Sequence, residues 1–150
     1  MEARRSGTGG RTAWARWAYP LALAALIVFA SSRSRVPGIG APGGDKLVHF
    51  AVFGLLATLT VRLLPRSAAW VAVAEVSLFG ATDEWHQSFT PGRHMDWADW
   101  VADTLGAAVA VLAYLRWAAY RRLLEAPVGR LCRKARIEKP ASPDSMEGAP

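Results

Sequence analysis

The residues with the most chemistry in this chain fall into three short groups. Asp45-Lys46-Leu47-Val48-His49 sets a carboxylate, an ammonium and an imidazole within one helical turn. Asp83-Glu84-Trp85-His86-Gln87 puts Asp83, His86 and Gln87 at i, i+3 and i+4, on one helix face. Pro91-Gly92-Arg93-His94 is a turn with a guanidinium at its tip, and Asp96, Asp99, Asp103 and Gly106 follow at the spacing of one helical stripe. Carboxylates grouped with histidines are the parts of an acid–base set, or of a divalent-cation site for phosphoester or acyl chemistry. Arg93, His94 and Lys46 are the cations that would meet a phosphate, arginine by a bidentate contact. The catalytic candidates are His49, Asp83, His86 and Asp99; the ligand-binding set comprises these with Asp45, Lys46, Glu84, Gln87, Arg93, Asp96 and Asp103. No spacing matches a standard metal motif such as His-Glu-x-x-His, so neither a metal nor another cofactor is expected. Three carboxylates on one stripe repel one another. They are tolerable only with cations, shared protons or a water-filled pocket, and Lys46, Arg93 and the histidines are the candidate partners. A purely structural polar network between helices would meet the same condition.

These groups stand at the ends of four apolar runs, residues 17–30, 47–64, 68–82 and 97–114. The first carries Pro20 in its first turn, where a missing N–H costs little. The third continues as a helix to about Gln87 and holds Glu75 near its middle, either protonated or paired inside the bundle. A membrane helix needs about 20 residues, a length each run reaches with amphipathic ends. Apolar residues make up 52% of the chain and charged residues 20%, and the two are segregated rather than mixed. That excludes a disordered chain, a collagen-like fibre and a disulfide scaffold, and Cys132 is the sole cysteine. All seven tryptophans fall near the ends of runs, as an interfacial aromatic belt requires.

The formal charge of +6 is not that of a nucleic-acid binder, because the basic residues gather at the termini and one short loop. With the N-terminus inside, Arg4, Arg5, Arg11, Arg16, Arg62, Arg66, Arg116, Arg121, Arg122 and the basic tail are inside. Arg33, Arg35, Lys46 and Arg93 are outside. The positive-inside rule then predicts an all-α polytopic membrane protein, a bundle of four transmembrane helices with both termini cytoplasmic. Residues 1–16 form a basic cytoplasmic N-terminus, 17–120 the membrane domain and 121–150 a disordered basic tail. Val28-Phe29-Ala30 also resembles a signal-peptide cleavage site, which would remove the first span. Asp45 is expected to cap the second helix, and Gly106 to admit a close helix neighbour.

Asp45-Lys46-x-x-His49-Phe50, Asp83-Glu84-x-His86-Gln87, Pro91-Gly92-Arg93, and Asp96, Asp99 and Gly106 together resemble the VanZ-like family of small integral membrane proteins. The resemblance covers residues 45–114. It departs at Asp103, where the family commonly carries Asn, so an amide donor is replaced by a carboxylate. The family takes its name from a protein that raises resistance to teicoplanin. The resemblance implies a multi-pass protein of the bacterial cytoplasmic (inner) membrane, working in the cell envelope at the lipid or cell-wall surface. Antibiotic resistance attaches to this chain by resemblance alone. The expected partners are the bilayer and a lipid headgroup, a lipid-linked cell-wall precursor or an amphipathic glycopeptide antibiotic, met by an outward-facing polar pocket. The competing expectations are a membrane enzyme that uses the Asp/His cluster on a lipid-like substrate, and the packing network.

Overall fold

The computed structural model of the chain describes residues 9–34 and 43–125. Arg4, Arg5, Arg35, Cys132, and the tail beyond residue 125 lie outside the described residues. The described residues are helical, with no strand among them. They form α1 (Gly9–Ser31), α2 (Gly44–Val61), a 3-10 turn (Arg66–Ala68), α3 (Ala69–Gln87), α4 (Trp97–Arg116) and α5 (Ala118–Glu125). Two of these, α2 and α4, are long and apolar enough to cross a membrane; the apolar part of α1, Arg16–Ser31, is shorter.

The short connections from α2 to α3 and from α3 to α4 turn the chain back on itself, so α2 and α4 run parallel with α3 antiparallel to both. Small residues make this possible. Ala57, Ala72 and Ala107 are fully buried, and Gly54 and Gly106 meet where α2 crosses α4. Without side chains in between, the backbones can approach closely, which is how membrane helices gain packing energy in a solvent as apolar as themselves. Phe53, Leu56, Val61, Val76, Val111 and Tyr114 fill the rest of the core, and Ile27 joins it from α1.

The end of the bundle formed by the C-terminus of α2 and that of α4 is basic. Arg16 donates to the Arg62 carbonyl at 3.2 Å, Arg66 to the Leu115 carbonyl at 3.2 Å, and Arg121 to the Tyr114 carbonyl at 3.0 Å. Guanidinium groups are favourable there, because terminal carbonyls carry the negative end of the helix dipole. Trp117 adopts an extended conformation that ends α4, and α5 follows it. Tyr120 is tied to Thr58 at 3.1 Å, and Glu125 accepts from the Tyr114 hydroxyl at 2.7 Å. This helix covers the stretch in which the sequence begins the disordered tail; residues 121–125 are helical because α5 has one side that packs and another that stays wet.

Three local expectations are corrected. Pro20 lies well inside α1, which starts at Gly9, so its missing N–H falls within the helix ladder instead of at its free end. Asp45 does not cap α2. The cap position is Gly43, with φ +76° and no side-chain cap bond, and Asp45 instead reaches Lys46 at 3.3 Å. Glu75 is exposed on the outer face of α3, not paired inside the bundle. Among the large aromatics, Trp70, Trp85, Trp97 and Trp117 are exposed, whereas Trp100 turns its indole N–H to the Ser77 carbonyl at 3.0 Å.

Candidate functional site

The opposite end of the bundle, where α1 and α3 end and α2 and α4 begin, collects the polar residues. Asp83 is buried and accepts two bonds at one oxygen, from Ser31 at 2.8 Å and from Gln87 at 2.9 Å. Thr90 adds a bond to the Ser31 carbonyl at 3.1 Å. Together they clasp the end of α1 to the end of α3. The chain then turns through Pro91-Gly92: Gly92 has φ +79°, and the Arg93 amide returns to the Thr90 carbonyl at 3.0 Å. Proline followed by a left-handed glycine is the signature of a type II turn. That turn delivers the Arg93 guanidinium back to the Gln87 side-chain oxygen.

A second group lies between α2, α3 and α4. The Lys46 ammonium reaches Asp96 at 2.8 Å, Asp99 at 3.0 Å and Asp45 at 3.3 Å. Asp96 also caps α4 by accepting from the Ala98 amide at 2.8 Å. The lysine, then that amide, hold the Asp96 carboxyl below the usual aspartate range. One turn deeper, His49 Nδ1 stands 3.0 Å from Asp103 Oδ1 and 3.9 Å from Glu84 Oε1, while its Nε2 is 4.0 Å from Asp99. Phe53 lies parallel to the imidazole, with ring centroids 5.9 Å apart. The other Glu84 oxygen accepts from the Asp96 amide at 2.8 Å, so α3 and the start of α4 are joined through a side chain that is itself buried.

Between α1, α2 and α3 a cavity of about 220 Å³ opens. Ile27, Val48, Val52 and Phe53 give it an apolar wall; Asp45, His49, Asp83, Gln87 and Arg93 line its polar part. Helix register explains part of the division: Ser31 is one turn beyond Ile27, and Asp45 precedes Val48 and Val52, so Ser31 and Asp45 stand toward the helix ends while Ile27 and Val52 lie deeper.

Of the residues singled out from the sequence, Asp45, His49, Asp83, Gln87 and Arg93 share this cavity, but Lys46, Glu84, His86, Asp96, Asp99 and Asp103 do not. His86 is exposed and contacts Ser32 at 3.0 Å. Lys46, a candidate both for a phosphate and for the aspartates, is surrounded by three aspartates, which leaves Arg93 as the guanidinium lining the cavity among the described residues. The partner of Arg93 is Gln87, not Asp96 or Asp99. His94 is exposed outside the cavity. Sequence inspection missed Ser31, Ser32 and Thr90, since a hydroxyl at the end of an apolar run is unremarkable without its partner. It equally missed the apolar wall, whose residues look like any others in a hydrophobic helix.

A protein-family model described as VanZ/LLP1 matches residues 12–119. No curated protein and no solved structure matches the chain.

Proposed function

The chain belongs to the VanZ/LLP1 family, and from that premise we propose that it is a multi-pass protein of the bacterial cytoplasmic membrane that binds an amphipathic envelope lipid. In this reading α1 to α4 all cross the membrane and the polar end faces outward, supported by the arginines gathered at the other end. The bound molecule is a phosphate-bearing lipid or lipid-linked precursor. Its head lies against Arg93 and Gln87, and the first part of its chain against Ile27, Val48 and Val52. The observation that carries the proposal is the cavity itself, which joins an apolar wall to a polar end that includes Arg93. That two-part lining suits a ligand with a charged head and a hydrocarbon chain, and suits neither a free ion nor a purely apolar molecule.

Arg93→Lys tests it. Lysine keeps the charge but loses the planar fork that grips two phosphate oxygens at once. A hydrogen bond to a charged group contributes about 1.5–3 kcal/mol, so affinity for phosphatidylglycerol in nanodiscs should fall about tenfold or more. The melting temperature should change little, since Asp83, Ser31 and Thr90 still clasp α1 to α3 without Arg93. Unchanged lipid affinity with a clear loss of thermal stability would contradict the proposal and make Arg93 part of a packing network.

A further inference from the structure

We infer that His49, Glu84 and Asp103 form a binding site for a divalent transition-metal ion of the zinc and manganese class. This goes beyond the lipid proposal and does not depend on it, because the donors meet between α2, α3 and α4 whether or not the cavity holds a lipid.

The donors come from three separate helices, yet one ligand atom from each lies within 4.8 Å of the others. His49 Nδ1 is 3.0 Å from Asp103 Oδ1 and 3.9 Å from Glu84 Oε1. Donors bound to zinc at about 2.0–2.2 Å stand roughly 3–3.6 Å apart, so His49 and Asp103 already have that spacing and Glu84 must move closer for the three to share one ion. The side chain of Glu84 is 1% exposed, and its Oε1, the oxygen turned toward His49, has no hydrogen-bond partner among the described residues. Asp103 is fully buried, and its Oδ2 is equally without a partner. Buried carboxylate oxygens without a donor are costly, and the histidine hydrogen bond relieves only Asp103 Oδ1.

Charge points the same way. The connected group holds the carboxylates of Asp45, Glu84, Asp96, Asp99 and Asp103 against the single ammonium of Lys46. With the imidazole neutral, as a metal ligand must be, the excess is strongly negative, and a divalent cation reduces it. Asp99, itself held by Lys46, stands 4.0 Å from the far ring nitrogen, and Phe53 lies parallel to the ring. The backbone amide of Asp96 holds Glu84 Oε2, which leaves Oε1 aimed at the site. One imidazole with two carboxylates favours zinc or manganese over magnesium or calcium, which take all-oxygen sites.

The test is zinc titration by calorimetry of the full chain, purified in detergent with its affinity tag removed and treated with chelator. The expected result is saturable binding of one ion per chain. Glu84→Gln and Asp103→Asn should each weaken it more than about tenfold. Glu75→Gln, an exposed carboxylate on the outer face of α3, should leave it unchanged. X-ray absorption at the zinc edge of the unmodified protein decides the matter even where a variant fails to fold. One imidazole among oxygen donors supports the site. No saturable binding, a shell of several imidazoles, or affinity unchanged in folded Glu84→Gln and Asp103→Asn would overturn it.

Discussion

Gly106→Ala is expected to separate α2 from α4 and to cost most of the folded protein. An alanine Cβ at this position would stand 2.1 Å from the Phe50 carbonyl oxygen and 2.9 Å from its carbon. Both atoms belong to a helix backbone, so no rotamer change relieves the clash and one helix must move. Overpacking in well-packed cores typically costs about 1–3 kcal/mol, and a backbone obstacle puts this change at the upper end. The displacement also reaches the polar end. Phe50 directly follows His49, and Gly106 lies one turn from Asp103, so shifting these backbones pulls the imidazole from its carboxylate. Gly54→Ala is the internal comparison: its Cβ would lie 3.2 Å from the Gly106 carbonyl oxygen, a contact that a small shift relieves. Thermal melts of the two variants in the same detergent should rank Gly106→Ala far below Gly54→Ala. Equal melting temperatures would show that α2 and α4 do not cross at Gly106.

The second large effect is expected at Asp83. Leucine at this position removes the oxygen that accepts from both Ser31 and Gln87; the Gln87 amide keeps a long bond to the Ser31 hydroxyl at 3.4 Å, and the Ser31 hydroxyl loses its acceptor. A stranded buried donor costs about 1–3 kcal/mol. The loss falls on one joint, because Asp83 is the buried acceptor in the clasp between the ends of α1 and α3. Proteolysis within the described part of α1 should therefore accelerate in Asp83→Leu before the core opens. Asp83→Asn keeps one acceptor oxygen and should lie between the variant and wild type. A melting temperature and proteolysis rate like wild type in Asp83→Leu would mean that α1 is held by its apolar contacts around Ile27 and not by the clasp.

The parts of this arrangement that the sequence made legible are those with local causes. The third helix runs to Gln87 as its periodicity predicts, and Gly106 does admit a close neighbour. The polar residues were also visible as a group, since charges near apolar runs are conspicuous. Their partners were not. Lys46 could be assigned to a phosphate or to aspartates with equal ease until the parallel packing of α2 and α4 placed Asp96 and Asp99 beside it. Spacing put Asp83, His86 and Gln87 on one helix face, but a face is wide. Asp83 and Gln87 turn into the clasp, while His86 at its margin stays exposed. Glu84 gave no local sign of its burial, because only the return of α4 across the end of α3 covers it. The cavity depends on how far α1 stands from α2 and α3, a distance that no pattern within a single helix encodes.

Photolabelling tests the central claim most directly. Phosphatidylglycerol carrying a photoreactive group on its acyl chain would be incorporated into nanodiscs with the full chain, irradiated, and the modified residues mapped by mass spectrometry. Lipid seated in the cavity should label Ile27, Ala30, Val48 or Val52, the residues of its wall. That labelling should be suppressed by excess unlabelled phosphatidylglycerol and reduced in Arg93→Lys. Labelling confined to the exposed outer faces, at residues such as Leu21, Leu26, Leu78 and Val109, and unaffected by competitor, would show ordinary contact with bulk bilayer and contradict a lipid site between α1, α2 and α3.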